Sequence, residues 1–311
     1  MLKSVNNISN FSSKEQTFVT IGTFDGVHFG HQKIIERLVF EAKKAKKKSV
    51  LLTFFPHPRM VLQKDASIEL INTIDERASL LEKTGLDYLI IHPFSKAFSR
   101  TSAFEFVRDI LVNQLNISKL IIGYDHHFGK NREGNITQLT EYSHLYDFNV
   151  EEIPAQDIDD VSVSSTKIRK ALHLGNLKTA NNYLGYNFML CGIVVNGKKL
   201  GEKIGYPTAN INVKEDYKLI PKTGVYIVKT KIQNKTVFGM MNIGNRPTVN
   251  GNHQTIEVHF FDFNKDLYGK KLTIELIYFL RDEKKFGSID LLIHQLKKDE
   301  RTARDYIKNN L

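Results

Sequence analysis

Cysteine is almost missing from this chain. Cys191 stands alone, which excludes an internal disulfide and fits a reducing, cytoplasmic setting. It lies in an apolar stretch and is expected to be a small buried side chain. Long hydrophobic runs are missing too. None approaches the roughly 20 residues that a membrane helix needs, so no membrane is expected as a partner. The opening stretch MLKSVNNISNFSSKEQ is polar and has no signal-peptide core. No internal repeat or low-complexity segment occurs. Acidic residues are in deficit, 34 Asp and Glu against 44 Lys and Arg, for a net charge of +10. That balance points to nucleic acid or to small anionic substrates. The aromatic–basic motifs of RNA-binding sheets are absent and the charge is dispersed, so no nucleic-acid partner is expected. The densest basic run, Lys43-Lys44-Ala45-Lys46-Lys47-Lys48, closes a helical pattern, where lysines suit the helix dipole.

What is present divides the chain, as 311 residues would usually require. In the first part, short apolar runs alternate with helical patterns. Strands are expected at 18–21, 50–55, 88–91, 119–122 and 148–153, with helices at 32–47, 75–83 and 103–115. This is the pattern of a Rossmann-like α/β fold, a parallel sheet covered on both faces, whose ligands bind beyond the carboxyl ends of the strands. After about residue 186 strands follow one another without helices, at 189–195, 225–232, 236–242, 255–263 and 272–279. Helical patterns return at 289–298 and 301–308. An antiparallel β-barrel with a C-terminal helix is expected. The boundary falls after a helical stretch that begins at Ser165, giving domains 1–184 and 185–311.

The first chemically suggestive stretch is TFDGVHFGHQKII at 23–35. A strand, Gly22, a short loop and then a helix place His28 and His31 at a helix N-terminus, which receives anions. At spacing three both imidazoles can face one space. Gly22, Gly26 and Gly30 let backbone approach a ligand. Spacing alone leaves three readings open: phosphate binding, ordinary polar residues at a helix start, or a zinc pair that no cysteine completes. Further along, Ser164, Ser165 and Thr166 precede a helical run, as a second capped, anion-receptive helix start. Arg169 follows one turn in, with a planar fork that can hold two phosphate oxygens. From the residues alone a plain capped helix with a surface arginine is the more ordinary reading, since such caps are common. Asp125 follows the fourth strand, and Pro56-His57-Pro58 follows the second.

These stretches carry a resemblance. GTFDGVHFGH resembles the HxGH signature of nucleotidyltransferases, and its flavin-specific branch most closely. TFFPHPRMVL at 53–62, IGYDHHFGKNREGN at 122–135 and VSSTKIRKAL at 163–172 continue it in order. In the second part GYPTANI at 205–211, NIGNRPTV at 242–249, IEVHFFDFNKDLYGK at 256–270 and LRDEKKF at 280–286 resemble riboflavin kinase. The whole is similar to the bacterial bifunctional riboflavin kinase/FAD synthetase family over about residues 15–306. His126 stands where the wider family often has phenylalanine.

The resemblance implies phosphorylation of riboflavin to FMN, then adenylylation of FMN by ATP to FAD. The small-molecule partners are then riboflavin, FMN and ATP, and Mg2+ is the implied cofactor. It assigns His28 and His31 to the ATP phosphates and gives Arg169 a catalytic role. Gly22, Thr23, Phe24, Asp25 and Gly30, with Ser164, Ser165 and Thr166, would shape the nucleotide pocket. Pro56, His57, Asp125 and Phe128 would contact the flavin. In the kinase part Thr208 and Asn210 would hold Mg2+ with ATP, and Glu257 would be the general base for the ribityl hydroxyl. Arg281, Glu283 and Phe286 would lie near its flavin. By strand alternation Glu257 shares a face with Thr255 and His259, which a solvent-facing glutamate would also do. A chain with one working half, and a homo-oligomer, are left open by the sequence.

Overall fold

The computed structural model describes residues 1–63, 68–124, 127–154, 163–197, 200–248 and 251–311. The chain forms two compact units, Met1–Ser165 and Thr166–Leu311.

The first unit is built on a six-stranded sheet, ordered β1-β4-β3-β2-β5-β6. The strands are β1 (Lys3–Asn6), β2 (Thr17–Ile21), β3 (Lys48–Phe55), β4 (Tyr88–Pro93), β5 (Ile117–Gly123) and β6 (Asn149–Ile153). Every pairing is parallel. The central strands read as continuous apolar runs because both faces are covered; β2 is buried at all five positions. The helix Phe29–Lys44 lays Ile34, Ile35, Leu38, Val39 and Ala42 inward, at the spacing of one helical face. Val19, Val50, Leu52, Leu111, Leu120 and Ile122 belong to one core cluster. The expectation of five strands omits β1. Its KSVN sequence is mostly exposed and pairs on one side only, with β4, so it carries no apolar pattern to read.

The second unit contains a closed barrel, ordered β10-β11-β8-β7-β12-β9. Its strands are β7 (Met189–Val195), β8 (Ala209–Asn212), β9 (Gly224–Ile232), β10 (Lys235–Thr248), β11 (Gly251–Phe260) and β12 (Lys271–Arg281). All pairings are antiparallel. Closure removes the free edges an open sheet would leave. The β9–β10 hairpin turns at Gln233 and Asn234, both at positive φ, the geometry that matches strand twist. The two helical patterns at the end form one helix, Ile289–Asn310. Its Ala303, Leu296, Tyr306 and Ile307 pack with Val225, Ile227, Met240 and Phe261. Cys191 is half-buried, with its Sγ 3.2 Å from Thr273 Oγ1.

The helical stretch from Ser165 is two helices, Ser165–His173 and Leu177–Leu184, separated at Gly175, whose φ is 75°. They pack with the barrel. Lys222 N–H donates to Leu172 O at 3.1 Å, and Asn181 Nδ2 donates to Leu276 O at 3.0 Å. The packing division therefore falls earlier than the 184/185 boundary read from composition. Among the described residues no helix is long and apolar enough to cross a membrane.

Candidate functional site

Strand order positions the first candidate site. From β2 the chain runs one way through β3 and β4, and β5 and β6 lie on the other side. The carboxyl ends of β2 and β5 thus flank a topological switch point, where open α/β sheets bind ligands. The loop Gly22–His28 leaves β2 there. Its backbone is tightly turned: Phe24, Gly26 and Val27 have φ of 47°, 87° and 36°. The first two lie in the left-handed region, and a β-branched valine at positive φ is an outlier that surrounding structure must hold.

His28 caps the helix that follows. Its Nδ1 accepts the His31 backbone N–H at 3.4 Å, so Nδ1 carries no proton and Nε2 does. The two rings stack, with centroids 3.6 Å apart and planes 18° apart. The Phe24 ring tilts against His31 at 4.9 Å. His31 Nδ1 is buried and has no hydrogen-bond partner among the described residues. Burial, then the neighbouring His28, then Arg77 hold the His31 imidazole well below its ordinary range. Stacked imidazoles beside a helix N-terminus disfavour a second positive charge. An anion placed there would reverse that preference.

Asp25 is placed differently from a ligand-facing carboxylate. It is 1% exposed and accepts the backbone N–H groups of Ile71 at 3.1 Å and Asn72 at 3.2 Å. Arg77 Nη2 stands 3.7 Å from its Oδ1. Its backbone carbonyl accepts Ser165 Oγ at 2.9 Å, which joins the Ser164-Ser165 segment to the histidine loop. Thr166 is exposed, and Arg169 is half-buried on the helix Ser165–His173. Gly30 is buried in the first turn of its helix. Thr23 accepts through its carbonyl from Thr53 Oγ1 at 3.1 Å.

Of the residues read as flavin contacts, Pro56 and His57 follow β3 at its carboxyl end. His57 caps the helix Pro58–Leu62 by accepting Arg59 N–H at 3.2 Å. Phe128 is a core residue: it is buried and its ring lies 5.7 Å from that of Phe106. Asp125 and His126 lie outside the described residues. An aromatic group beside the ends of β3 and β4 escaped the sequence reading. Phe98 lies 5.6 Å from Phe54, 5.7 Å from Phe94 and 4.5 Å from His92. The density of Phe over 92–98 was the available signal.

The second site is a cavity of about 260 Å³ in the barrel unit, lined among others by Thr208, Glu257, Arg281, Glu283 and Phe286. Five of the six residues read for this half therefore meet in one space. The sixth, Asn210 on β8, lies opposite Glu257 on β11, and Asn242 on β10 lies opposite Glu257 from the other side. Thr208 Oγ1 donates to Glu257 Oε2 at 3.4 Å. Arg281 is engaged by the C-terminal helix: its Nε and Nη2 donate to Asp299 at 2.9 and 2.6 Å. Glu283 lies over Gly244, where a Cβ would stand 2.5 Å from its Oε1 and 3.0 Å from Asn242 Nδ2. Glycine alone leaves that space.

Two further cavity residues, Tyr206 and His259, were not read as site residues. His259 Nδ1 is 2.8 Å from Pro207 O; a carbonyl only accepts, so Nδ1 carries the proton. Tyr206 donates to Glu300 Oε2 at 3.1 Å, and burial, then Glu300, raise its pKa. Strand alternation already put His259 beside Glu257. Among the described residues no group of three or more His, Cys, Asp or Glu is arranged to hold a metal ion. The oxygen donors Thr208 and Asn210 do suit a hard cation shared with phosphates.

Comparison with known proteins gives two family matches. The FAD synthetase model matches residues 10–167 and the riboflavin kinase model residues 184–307. A relative from Listeria monocytogenes is 38% identical over 93% of this chain and 91% of its own. One from Haemophilus influenzae is 38% identical over 94% of each. One from Escherichia coli is 34% identical over 98% of this chain and 97% of its own. All three bear the name bifunctional riboflavin kinase/FMN adenylyltransferase. A solved structure from Streptococcus pneumoniae, titled macrolide-efflux protein, superposes with a TM-score of 0.88 at 32% identity, covering 97% of this chain and 98% of that one.

Proposed function

The chain belongs to the bifunctional riboflavin kinase/FMN adenylyltransferase family, and from that membership we infer two successive ATP-dependent reactions. Riboflavin is phosphorylated to FMN, and FMN is then adenylylated to FAD with release of pyrophosphate. We assign the first step to residues 185–311 and the second to residues 1–184. The substrates are riboflavin, FMN and ATP, and the setting is the cytoplasm, where a lone thiol stays reduced.

In the adenylyl step an oxygen of the FMN phosphate attacks the α-phosphorus of ATP. The bond from that phosphorus to the β-phosphate oxygen breaks, and pyrophosphate leaves. No protein nucleophile is required, so the protein contributes position and charge stabilisation. His28, through Nε2–H, and His31 donate to phosphate oxygens as charge develops, and the first turn of their helix adds backbone N–H groups. On family membership we assign Arg169 a catalytic role, since its planar fork can hold two phosphate oxygens. Phe54, Phe94 and Phe98 offer apolar faces suited to a flat ring. The observation that carries this reading is the stacked imidazole pair at a helix N-terminus on the sheet's switch point.

In the kinase step Glu257 takes the proton of the ribityl 5′-hydroxyl as the hydroxyl oxygen attacks the γ-phosphorus of ATP, the bond from that phosphorus to the β-phosphate oxygen breaks, and ADP leaves. Thr208, by donating to Glu257, holds the carboxylate in place for that transfer. Thr208 and Asn210 would hold Mg2+, which when bound neutralises phosphate charge. Glu283, Phe286 and the Arg281–Asp299 pair wall the flavin side of the cavity. The test is incubation of the purified chain with riboflavin, ATP and Mg2+, followed by chromatography of the flavins. Both FMN and FAD are expected. FMN alone would refute the adenylyltransferase assignment, and the absence of both products would refute the whole reading.

A further inference from the structure

We propose that Arg77 is a positioning residue for adenylyl transfer: from the helix Ile74–Glu82 it clamps both sides of Phe24 and so holds the imidazole pair in register. The proposal rests on the reading of His28 and His31 as the triphosphate-binding pair.

Arg77 is 1% exposed and heads the largest fully buried side chains of the described residues. Its helix start is fixed by a reciprocal cap. Thr73 Oγ1 accepts Glu76 N–H at 3.1 Å, and Glu76 Oε2 accepts Thr73 N–H at 2.9 Å. One prong of the guanidinium, Nη1, donates to Thr53 Oγ1 at 3.3 Å. That hydroxyl in turn donates to the Thr23 carbonyl at 3.1 Å. The other prong, Nη2, stands 3.7 Å from Asp25 Oδ1. Thr23 and Asp25 flank Phe24, which has φ of 47° and lays its ring on His31. One rigid fork thus reaches the loop on both sides of its strained residue. A lysine ammonium is a point charge on a flexible stem and lacks this planar fork.

A simpler role would be to neutralise Asp25. Replacing a buried ion pair by apolar groups is often neutral for stability, so neutralisation alone predicts no effect on catalysis once both charges are removed together. Positioning predicts that the loss persists. Arg77 also disfavours the charged form of His31, behind burial and His28.

The test measures FAD formation from FMN and ATP in the full chain, with urea unfolding as the control for folding of the first unit and riboflavin phosphorylation as the control for the amount of active chain. Arg77→Lys should lower kcat by about tenfold or more with KM for ATP little changed, since misplacing bound reactants by about 1 Å is costly. Thr53→Val, which removes one arm only, should give a smaller loss of kcat than Arg77→Lys, again with KM for ATP little changed. The pair Arg77→Met with Asp25→Asn removes both charges of the pair, and its loss should equal or exceed that of Arg77→Lys. Wild-type kcat in a folded Arg77→Lys chain, or in the paired variant, would overturn the proposal. Should Arg77→Lys fail to fold, the other two variants decide it: full activity in either overturns it. His31→Ala is run alongside. Retention of FAD synthesis there refutes the premise, whereas its loss beside an active Arg77→Lys chain refutes the clamp alone.

Discussion

His31 owes its charge state to its neighbours. Burial, His28 and Arg77 all favour the neutral ring, so its folded pKa lies below the unfolded one. The unfolded chain then binds the extra proton first. Stability is fully present above about pH 6.5 and is lost as pH falls from there toward the folded value. Denaturant unfolding at pH 7.5 and pH 5.5 should show a smaller loss in His31→Gln than in the wild type; equal losses would contradict the account. At Glu257 the expectation is chemical. Glu257→Gln should lower FMN formation by about 100-fold or more while FMN supplied from outside is still converted to FAD. Persistent FMN formation would remove the general base. The histidine pair, Glu257 and Thr208 were legible because each sits in a short motif. Arg77 was not, since its partners Asp25 and Thr53 are distant in the chain and its surroundings read as an ordinary amphipathic helix. Asp25 was legible as a member of the loop, but its carboxylate serves the amides of Ile71 and Asn72, which no local pattern announces.

Elements carry the sites through their ends. The helix Ile74–Glu82 begins at the Thr73–Glu76 cap, and Thr73→Ala should destabilise the first unit by about 1 kcal/mol, read by urea unfolding. No change would mean that the cap does not set that helix. In the barrel, Gly244→Ala would displace the Glu283 carboxylate. Riboflavin phosphorylation should fall as the carboxylate leaves the cavity wall, with FAD formation from FMN unchanged; an unaffected kinase would remove Glu283 from that wall. Apolar strands were legible and polar ones were not. β1 hides in an exposed edge sequence, and β8 is four residues, ANIN, recognisable only by the neighbours it bridges. The C-terminal helix read as two because Asp299 interrupts its pattern. That carboxylate is buried against Arg281 and Gln295, so the helix continues through it.

At the scale of the molecule, the function proposed above has two different architectures bind the same co-substrate by different means. The parallel sheet offers a helix N-terminus at a switch point, and the barrel offers the oxygen donors Thr208 and Asn210 at the start of β8. The division in sequence, from alternating strands and helices to strands alone, was legible because periodicity changes near residue 186. The division in packing was not, because the helices Ser165–His173 and Leu177–Leu184 look like a continuation of the α/β pattern and yet pack on the barrel. Separate sites predict separable losses. The measurement that bears most directly on this is the flavin profile of His31→Ala incubated with riboflavin, ATP and Mg2+. FMN should accumulate at the wild-type rate with FAD reduced to a trace. FAD formed at the wild-type rate, or loss of both products from a folded chain, would contradict the account.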